Sequence, residues 1–140
     1  MEQLNPYLTF PGTCVEAFEF YAHVFGGQVT MVELVKDSPM AAQTPAHVQD
    51  WALHARVALP AGMLMGSDDI MGMGSDVKGI TLQAQYPDFE TAKSTFEALS
   101  EGGEVKMAFQ STFFAAGFGQ CIDKFGIPWM VNCSASKEQG

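Results

Sequence analysis

The stretch Gly26-Gly27-Gln28-Val29-Thr30-Met31 returns 76 residues further along the chain as Gly102-Gly103-Glu104-Val105-Lys106-Met107. Further matches keep this offset, and they pair Phe10-Pro11 with Tyr86-Pro87, Phe20 with Phe96, Ala22 with Ala98, and Leu4 with Ile80. Each match is weak by itself, but the shared offset predicts two copies of one supersecondary unit.

The first copy carries signals for one strand, one helix and three more strands. Residues 4–10 alternate between apolar and polar side chains, as is typical of a strand. Thr13 and Glu16 have the spacing of a capping box, which predicts a helix start, and Gly26-Gly27 predicts the helix end. Further strands are predicted at 28–35, 51–59 and 63–66, with a long loop at 36–50.

The second copy repeats this order. Residues 80–86 predict a strand, Asp88 is placed to cap a helix, and strands are predicted at 104–109, 118–123 and 129–133. The sequence therefore predicts an α+β fold of two βαβββ modules. The first module spans 1–67, a Gly-, Met- and Asp-rich linker 68–79, the second module 80–133 and a flexible tail 134–140.

The linker has two interpretations. It is either a plain connection or a mobile flap over a ligand site. Its carboxylates, Asp68 and Asp69, have no basic neighbours in the sequence, so we expect them to be solvated.

Composition excludes several classes of protein. The 140 residues carry a formal net charge of −9, with 47% hydrophobic and 16% charged residues. Such a chain is too apolar to be intrinsically disordered, and its length suits one domain built from both modules. The acidic balance, with no cluster of Lys or Arg, argues against nucleic acids and anionic membrane surfaces as partners.

Cysteine usage and the N-terminus bear on the compartment. Cys14, Cys121 and Cys133 are odd in number and lack C-x-x-C spacing, so free thiols are expected rather than disulfides or a zinc ribbon. The N-terminus has no signal-peptide features, and no apolar run approaches the ~20 residues of a membrane helix. We therefore expect a cytoplasmic protein with no membrane partner.

Several motifs occur in an order that resembles PhnB-like proteins of the vicinal oxygen chelate superfamily, which includes glyoxalase I, fosfomycin- and bleomycin-resistance proteins and ring-cleaving dioxygenases. The motifs lie at 6–10, 17–21, 25–27, 64–68, 112–114, 117–119 and 123–132, and the resemblance covers about residues 4–133. It implies that each module curls its mixed sheet into a trough, with the helix on the convex face and a ligand in the concave face. It also implies a homodimer.

The resemblance further implies a divalent metal held by His, Gln or Glu. Counting along the family pattern places the ligand positions at Met130, at Gly66, at Pro6 or Asn5, and at Leu82 or Thr81. None of these residues is a strong ligand, so we expect the metal site to be lost, unless His54 binds a metal from an unusual strand. No nucleotide-type cofactor is expected either, because the chain offers G-x-G only outside a strand-to-helix turn.

Strand alternation suggests which side chains face a ligand. His54 is either a proton-transfer group or ligand anchor, or a partly buried histidine bonded to a neighbouring strand. Arg56 either clamps a carboxylate or phosphonate or forms a salt bridge at the rim. Trp129 either stacks on a ligand or packs in the core. The full set of ligand-pocket candidates is Tyr7, His54, Arg56, Thr81, Gln83, Trp129, Met130 and Asn132.

Three functions remain open at this point. The chain is expected to bind a small organic molecule without a metal, and the catalytic residues stay unassigned. The first alternative is a metal-dependent lyase, isomerase or dioxygenase of the same superfamily. The second is a dimeric scaffold without a ligand.

Overall fold

The structure, a computed structural model, describes residues 1–134 and forms two compact units, Met1–Ser75 and a second that begins at Asp76. The predicted tail lies outside the described residues except for Ser134. The first unit contains β1 (Tyr7–Phe10), α1 (Cys14–Phe25), β2 (Gln28–Leu34), β3 (Ala52–Leu59) and β4 (Gly62–Asp68). The second contains β5 (Leu82–Tyr86), α2 (Phe89–Ser100), β6 (Glu104–Gln110), β7 (Gly117–Ile122) and β8 (Pro128–Cys133).

Each unit has one four-stranded mixed sheet. In the first unit the strand order is β1-β4-β3-β2, with β1 parallel to β4 and the other neighbours antiparallel. The second unit repeats this arrangement as β5-β8-β7-β6, with β5 parallel to β8. The predicted α+β fold of two βαβββ modules is therefore confirmed.

The core of the first unit lies between α1 and its sheet. Phe10, Phe18 and Tyr21 are fully buried, and the rings of Phe10 and Phe18 meet edge to face with centroids 5.9 Å apart. Burial of such aromatic side chains supplies the largest apolar areas available to a unit of this size. The three cysteines are free and buried, as expected from the sequence.

The repeated glycine pairs have a common structural cause. Gly26 and Gly102 follow α1 and α2 with φ of 73° and 76°, which is the left-handed region that favours glycine. Gly27 and Gly103 have no room for a side chain, because a Cβ would overlap the carbonyl oxygens of the facing strands at Ala58 and Ile122. The sequence repeat thus marks two similar helix-to-strand connections, although α1 continues up to Gly26 while α2 ends one residue earlier relative to its glycine, at Ser100.

The predicted capping box at Thr13 is wrong. The Thr13 side chain makes no capping hydrogen bond, and its Oγ1 atom is buried without a partner among the described residues. The first amide of α1, at Cys14, instead donates to Asp68 Oδ1 at 2.8 Å. In the second unit Asp88 does cap α2, because its Oδ2 accepts from the Thr91 amide at 2.8 Å.

Because Thr13 makes no cap, Thr13→Val should change the free energy of unfolding by less than about 0.5 kcal/mol, whereas loss of a true capping side chain costs about 1 kcal/mol. Urea unfolding followed by circular dichroism measures the difference. Asp88→Ala is the matched control at a working cap, and it should clearly lower the urea midpoint. Equal losses in both variants would contradict this interpretation of Thr13.

The third strand departs from simple alternation. Glu33 pairs with His54 while Leu34 pairs with Ala52, so a bulge at Leu53 shifts the register by one residue. Ala52 is consequently fully buried, although simple alternation along β3 would put it on the same face as His54. A bulge adds a residue to one strand and so reverses the phase of the alternation beyond it.

Two further features concern the loops and the helices. The loop from 36 to 50 contains short 3-10 turns, and His47 in this loop packs edge to face against Trp51 with ring centroids 5.9 Å apart. Within residues 1–134, neither helix has the length and apolar character needed to cross a bilayer.

Candidate functional site

One face of the first sheet packs on α1, and we call the other its open face. Ala55 and Val57 are fully buried on the helix side, and a Cβ on Gly66 would lie 2.9 Å from Phe18 of α1. The residues that alternate with these, Arg56 and Met65, pair across β3 and β4 on the open face.

Three side chains form a hydrogen-bonded chain on this open face. Tyr7 Oη lies 3.1 Å from His54 Nδ1, and Arg56 Nε donates to His54 Nε2 over 3.1 Å. The rings of Tyr7 and His54 also stack, with centroids 5.7 Å apart and planes 23° apart. Tyr7 and His54 are 47 residues apart in sequence, and both imidazole nitrogens have a protein partner.

Arg56 is the only arginine in the chain. It is exposed, and among the described residues no carboxylate forms an ion pair with it. Its Nε donates to His54, and within residues 1–134 no side chain or backbone carbonyl accepts from its terminal N–H groups, which are therefore available to a ligand. The rim salt bridge considered from the sequence is not formed within the described part of the chain.

The carboxylate of Glu33 belongs to the same face. Glu33 stands directly opposite His54 in the β2–β3 register and is half-buried. It makes no hydrogen bond to His54 or Arg56 within the described residues. The open face therefore combines one fixed positive charge with one acidic neighbour.

Sequence reasoning missed Asp68, and the expectation that it is solvated is wrong. Its side chain is 3% exposed, and its two oxygens accept backbone N–H groups from Gly12, Cys14 and Ala52 at 3.1, 2.8 and 2.9 Å. Burial raises the pKa of Asp68, and the three amide hydrogen bonds oppose that rise. One sequence signal was available, because Asp68 continues the alternation of the buried Leu64 and Gly66.

Asp68 also affects its neighbour Cys14. Burial raises the pKa of the Cys14 thiol to about 12, and the Asp68 carboxylate adds to the rise. A thiol with so high a pKa is a poor nucleophile at neutral pH. Cys14 and Asp68 therefore have structural roles and do not belong to the site.

The second unit presents a different open face, lined by amides. Gln83 pairs with Met130 and Gln85 with Asn132 in the β5–β8 register, and Gln83 Nε2 donates to Gln85 Oε1 at 3.2 Å. Asn132 Oδ1 is buried, and no residue in the described part of the chain forms a hydrogen bond with it. Thr81 is exposed just before β5 begins.

Trp129 lies on the opposite face from these amides. It is 3% exposed, and its indole N–H donates to Asp123 Oδ2 at 2.8 Å. Asp123 Oδ1 also accepts the amides of Phe125 and Ile127, so this buried carboxylate organises the turn between β7 and β8. The structure thus brings Tyr7, His54 and Arg56 together, groups Gln83, Met130 and Asn132 in the other unit, and buries Trp129.

The residues at the metal positions that the family resemblance implies do not suit a divalent metal. The Asn5 amide donates to the Met63 carbonyl at 3.3 Å, and Gly66 faces α1 rather than the open face. Met130 offers only a soft thioether, and the His54 ring nitrogens are bonded to Tyr7 and Arg56. Within residues 1–134, no three His, Cys, Asp or Glu side chains are grouped so that they could hold a metal ion.

Comparison with known proteins gives consistent results. A family model described as the glyoxalase/bleomycin resistance protein/dioxygenase superfamily matches residues 3–131. The chain is 35% identical to Protein YjdN of Escherichia coli (strain K12) over 137 residues, which cover 92% of this chain and 93% of that protein.

Solved structures show the same fold. Protein PA1353 from Pseudomonas aeruginosa is 38% identical, with a TM-score of 0.86 and coverage of 96% of this chain and 98% of that one. A protein from Bacillus cereus, described as a putative 3-demethylubiquinone-9 3-methyltransferase, PhnB protein, has a TM-score of 0.81 at 20% identity, and the match covers 95% of this chain and 100% of that one. At that identity the likeness concerns the fold alone.

Proposed function

This chain belongs to the glyoxalase/bleomycin resistance protein/dioxygenase superfamily, and from that premise we propose that it binds a small organic anion, without a metal ion, on the open face of its first unit. The observation that carries the proposal is the hydrogen-bonded chain of Tyr7, His54 and Arg56. A shared fold supports many chemistries, so the proposal rests on these side chains rather than on the superfamily.

The charge of Arg56 supports an anionic ligand. An exposed guanidinium with unused N–H groups is suited to binding carboxylate or phosphonate oxygens, often through two parallel hydrogen bonds. His54 holds the Nε end of this group, so the terminal nitrogens lose less freedom when a ligand binds. Because the whole chain carries a net charge of −9, attraction of an anion depends on this local positive group.

Apolar neighbours support a ligand with a hydrocarbon body. Met65 pairs with both Tyr7 and Arg56 across the sheet, and Met31 pairs with Arg56 on the other side. Methionine side chains are flexible and adapt to ligands of irregular shape. An anionic head at Arg56 with an apolar chain over the methionines is therefore the ligand shape that this face fits best.

Replacing the guanidinium tests the proposal directly. With pentanoate and pentylphosphonate as probes, Arg56→Met should weaken binding roughly ten- to hundredfold, because a charge-assisted contact is lost. Glu33→Gln should strengthen binding roughly two- to fivefold, because it removes a nearby negative charge that repels the anionic probe. Nuclear magnetic resonance titration measures both affinities and locates the binding face.

Lys93→Met provides the matched control, since it removes one exposed positive charge from α2 of the other unit. It should leave the affinity of both probes unchanged. Protein treated with a chelator should bind the probes as well as untreated protein does. If Lys93→Met and Arg56→Met weaken probe binding equally, the anion site is not local to Arg56. If the chelator-treated protein binds the probes only after Zn²⁺, Ni²⁺, Mn²⁺ or Fe²⁺ is added, binding is not independent of a metal.

A further inference from the structure

We infer that Arg56 holds His54 as a neutral imidazole with its proton on Nδ1, and that this tautomer directs the Tyr7 hydroxyl proton outward as a ligand donor. The inference about the tautomer depends only on hydrogen-bond geometry. Its extension to a class of ligand rests on the proposed function.

The first step follows from the donors and acceptors. Arg56 Nε carries a hydrogen and cannot accept, so His54 Nε2, 3.1 Å away, must present a lone pair. A neutral imidazole carries one N–H, which therefore sits on Nδ1. A doubly protonated ring would have no lone pair for Arg56 and would add a like charge beside it.

The second step concerns Tyr7. With the proton on Nδ1, His54 donates to Tyr7 Oη across 3.1 Å, and the hydroxyl oxygen is the acceptor. The hydroxyl hydrogen must then point away from the imidazole. Tyr7 is 52% exposed and its ring stacks on His54, so the outward donor is both accessible and held in place.

The third step gives the class of ligand. Tyr7 contacts the imidazole at Nδ1 and Arg56 contacts it at Nε2, so the two outward donors stand on opposite sides of the ring. A single carboxylate at Arg56 is too compact to reach both. The site is therefore matched to an organic anion that carries a second acceptor oxygen, such as a carbonyl, several bonds from the charged group.

Nitrogen-15 magnetic resonance of the His54 ring tests the tautomer without any ligand. The expected spectrum shows a protonated Nδ1 and an unprotonated Nε2 at neutral pH. Arg56→Met should shift the proton toward Nε2, while Tyr7→Phe should keep it on Nδ1, since Arg56 remains. A backbone amide spectrum checks that both variants are folded. A His54 proton on Nε2 in the native chain would overturn the inference. So would a proton that moves to Nε2 in Tyr7→Phe but not in Arg56→Met.

Paired probes test the ligand class. 4-Oxopentanoate and pentanoate differ only by one carbonyl, and the native chain should bind the oxo acid roughly two- to tenfold more tightly, by one hydrogen bond. Tyr7→Phe should abolish that preference, so that this variant binds both probes with equal affinity. Equal affinity of the native chain for both probes would overturn the inference that the ligand carries a second acceptor oxygen. If neither probe binds while Nδ1 is protonated, the proposed function fails and the tautomer stands.

Discussion

Asp68→Ala is expected to lower the free energy of unfolding by about 3 to 5 kcal/mol. The substitution removes the acceptor of three backbone N–H groups, at Gly12, Cys14 and Ala52, of which the last two are buried. Each buried donor left without an acceptor costs about 1 to 3 kcal/mol. Urea unfolding measures this loss, provided that the dependence of the free energy of unfolding on urea concentration is compared between the variants.

Two further substitutions test the same explanation of the stability of Asp68. Asp68→Asn keeps one oxygen for the Gly12 and Cys14 amides but places an NH₂ group against the Ala52 amide, so its loss should be smaller, about 2 kcal/mol. Asp69→Asn is the matched control, because Asp69 accepts the exposed amides of Met73 and Gly74. It should change stability by less than about 0.5 kcal/mol. If substitutions at positions 68 and 69 lower the free energy of unfolding by similar amounts, the burial of Asp68 is not the cause of the lost stability.

Gly27→Ala and Gly103→Ala are each expected to lower the free energy of unfolding by about 3 kcal/mol or more. An added Cβ would overlap a backbone carbonyl oxygen, of Ala58 in one unit and of Ile122 in the other. Backbone atoms in a paired strand cannot turn aside as a flexible side chain can, so the strands must separate locally.

The preceding glycine supplies the matched control. No described atom lies within 4 Å of a Cβ placed on Gly26, so Gly26→Ala carries only the strain of a φ of 73°, about 1 to 2 kcal/mol. Thermal and urea unfolding should therefore show that the Gly27→Ala variant is less stable than the Gly26→Ala variant. The reverse ranking would mean that turn conformation, rather than close approach of the strand, requires the glycine pair.

Much of the fold was predictable because its signals are local. The end of α1 before Gly26 and the cap of α2 at Asp88 each involve residues within a few positions of each other, and the residue type there determines the backbone conformation directly. The repeated glycine pair marked the two modules before any tertiary contact was known. Thr13 shows the limit, since its sequence spacing was right but Asp68, 54 residues from Cys14, took the capping role.

The candidate site was predictable only in part. Alternation placed His54 and Arg56 on one face of a strand, and Tyr7 on another strand in a matching position. It could not reveal that Tyr7 and Arg56 bond to opposite nitrogens of the same ring, because strand order and register decide that contact. The bulge at Leu53, which reversed the face of Ala52, likewise has no reliable signal in the sequence.

The sequence by itself determined the order of the helices and strands, the repeat of one module and the lack of strong metal ligands at the positions that the family resemblance implies, because these depend on residue type and short-range spacing. Tertiary structure alone decided that Asp68 is a buried acceptor and that Tyr7, His54 and Arg56 form one chain. Those properties arise when strands distant in sequence pair, since pairing sets both the dielectric around a carboxylate and the partner of each ring nitrogen.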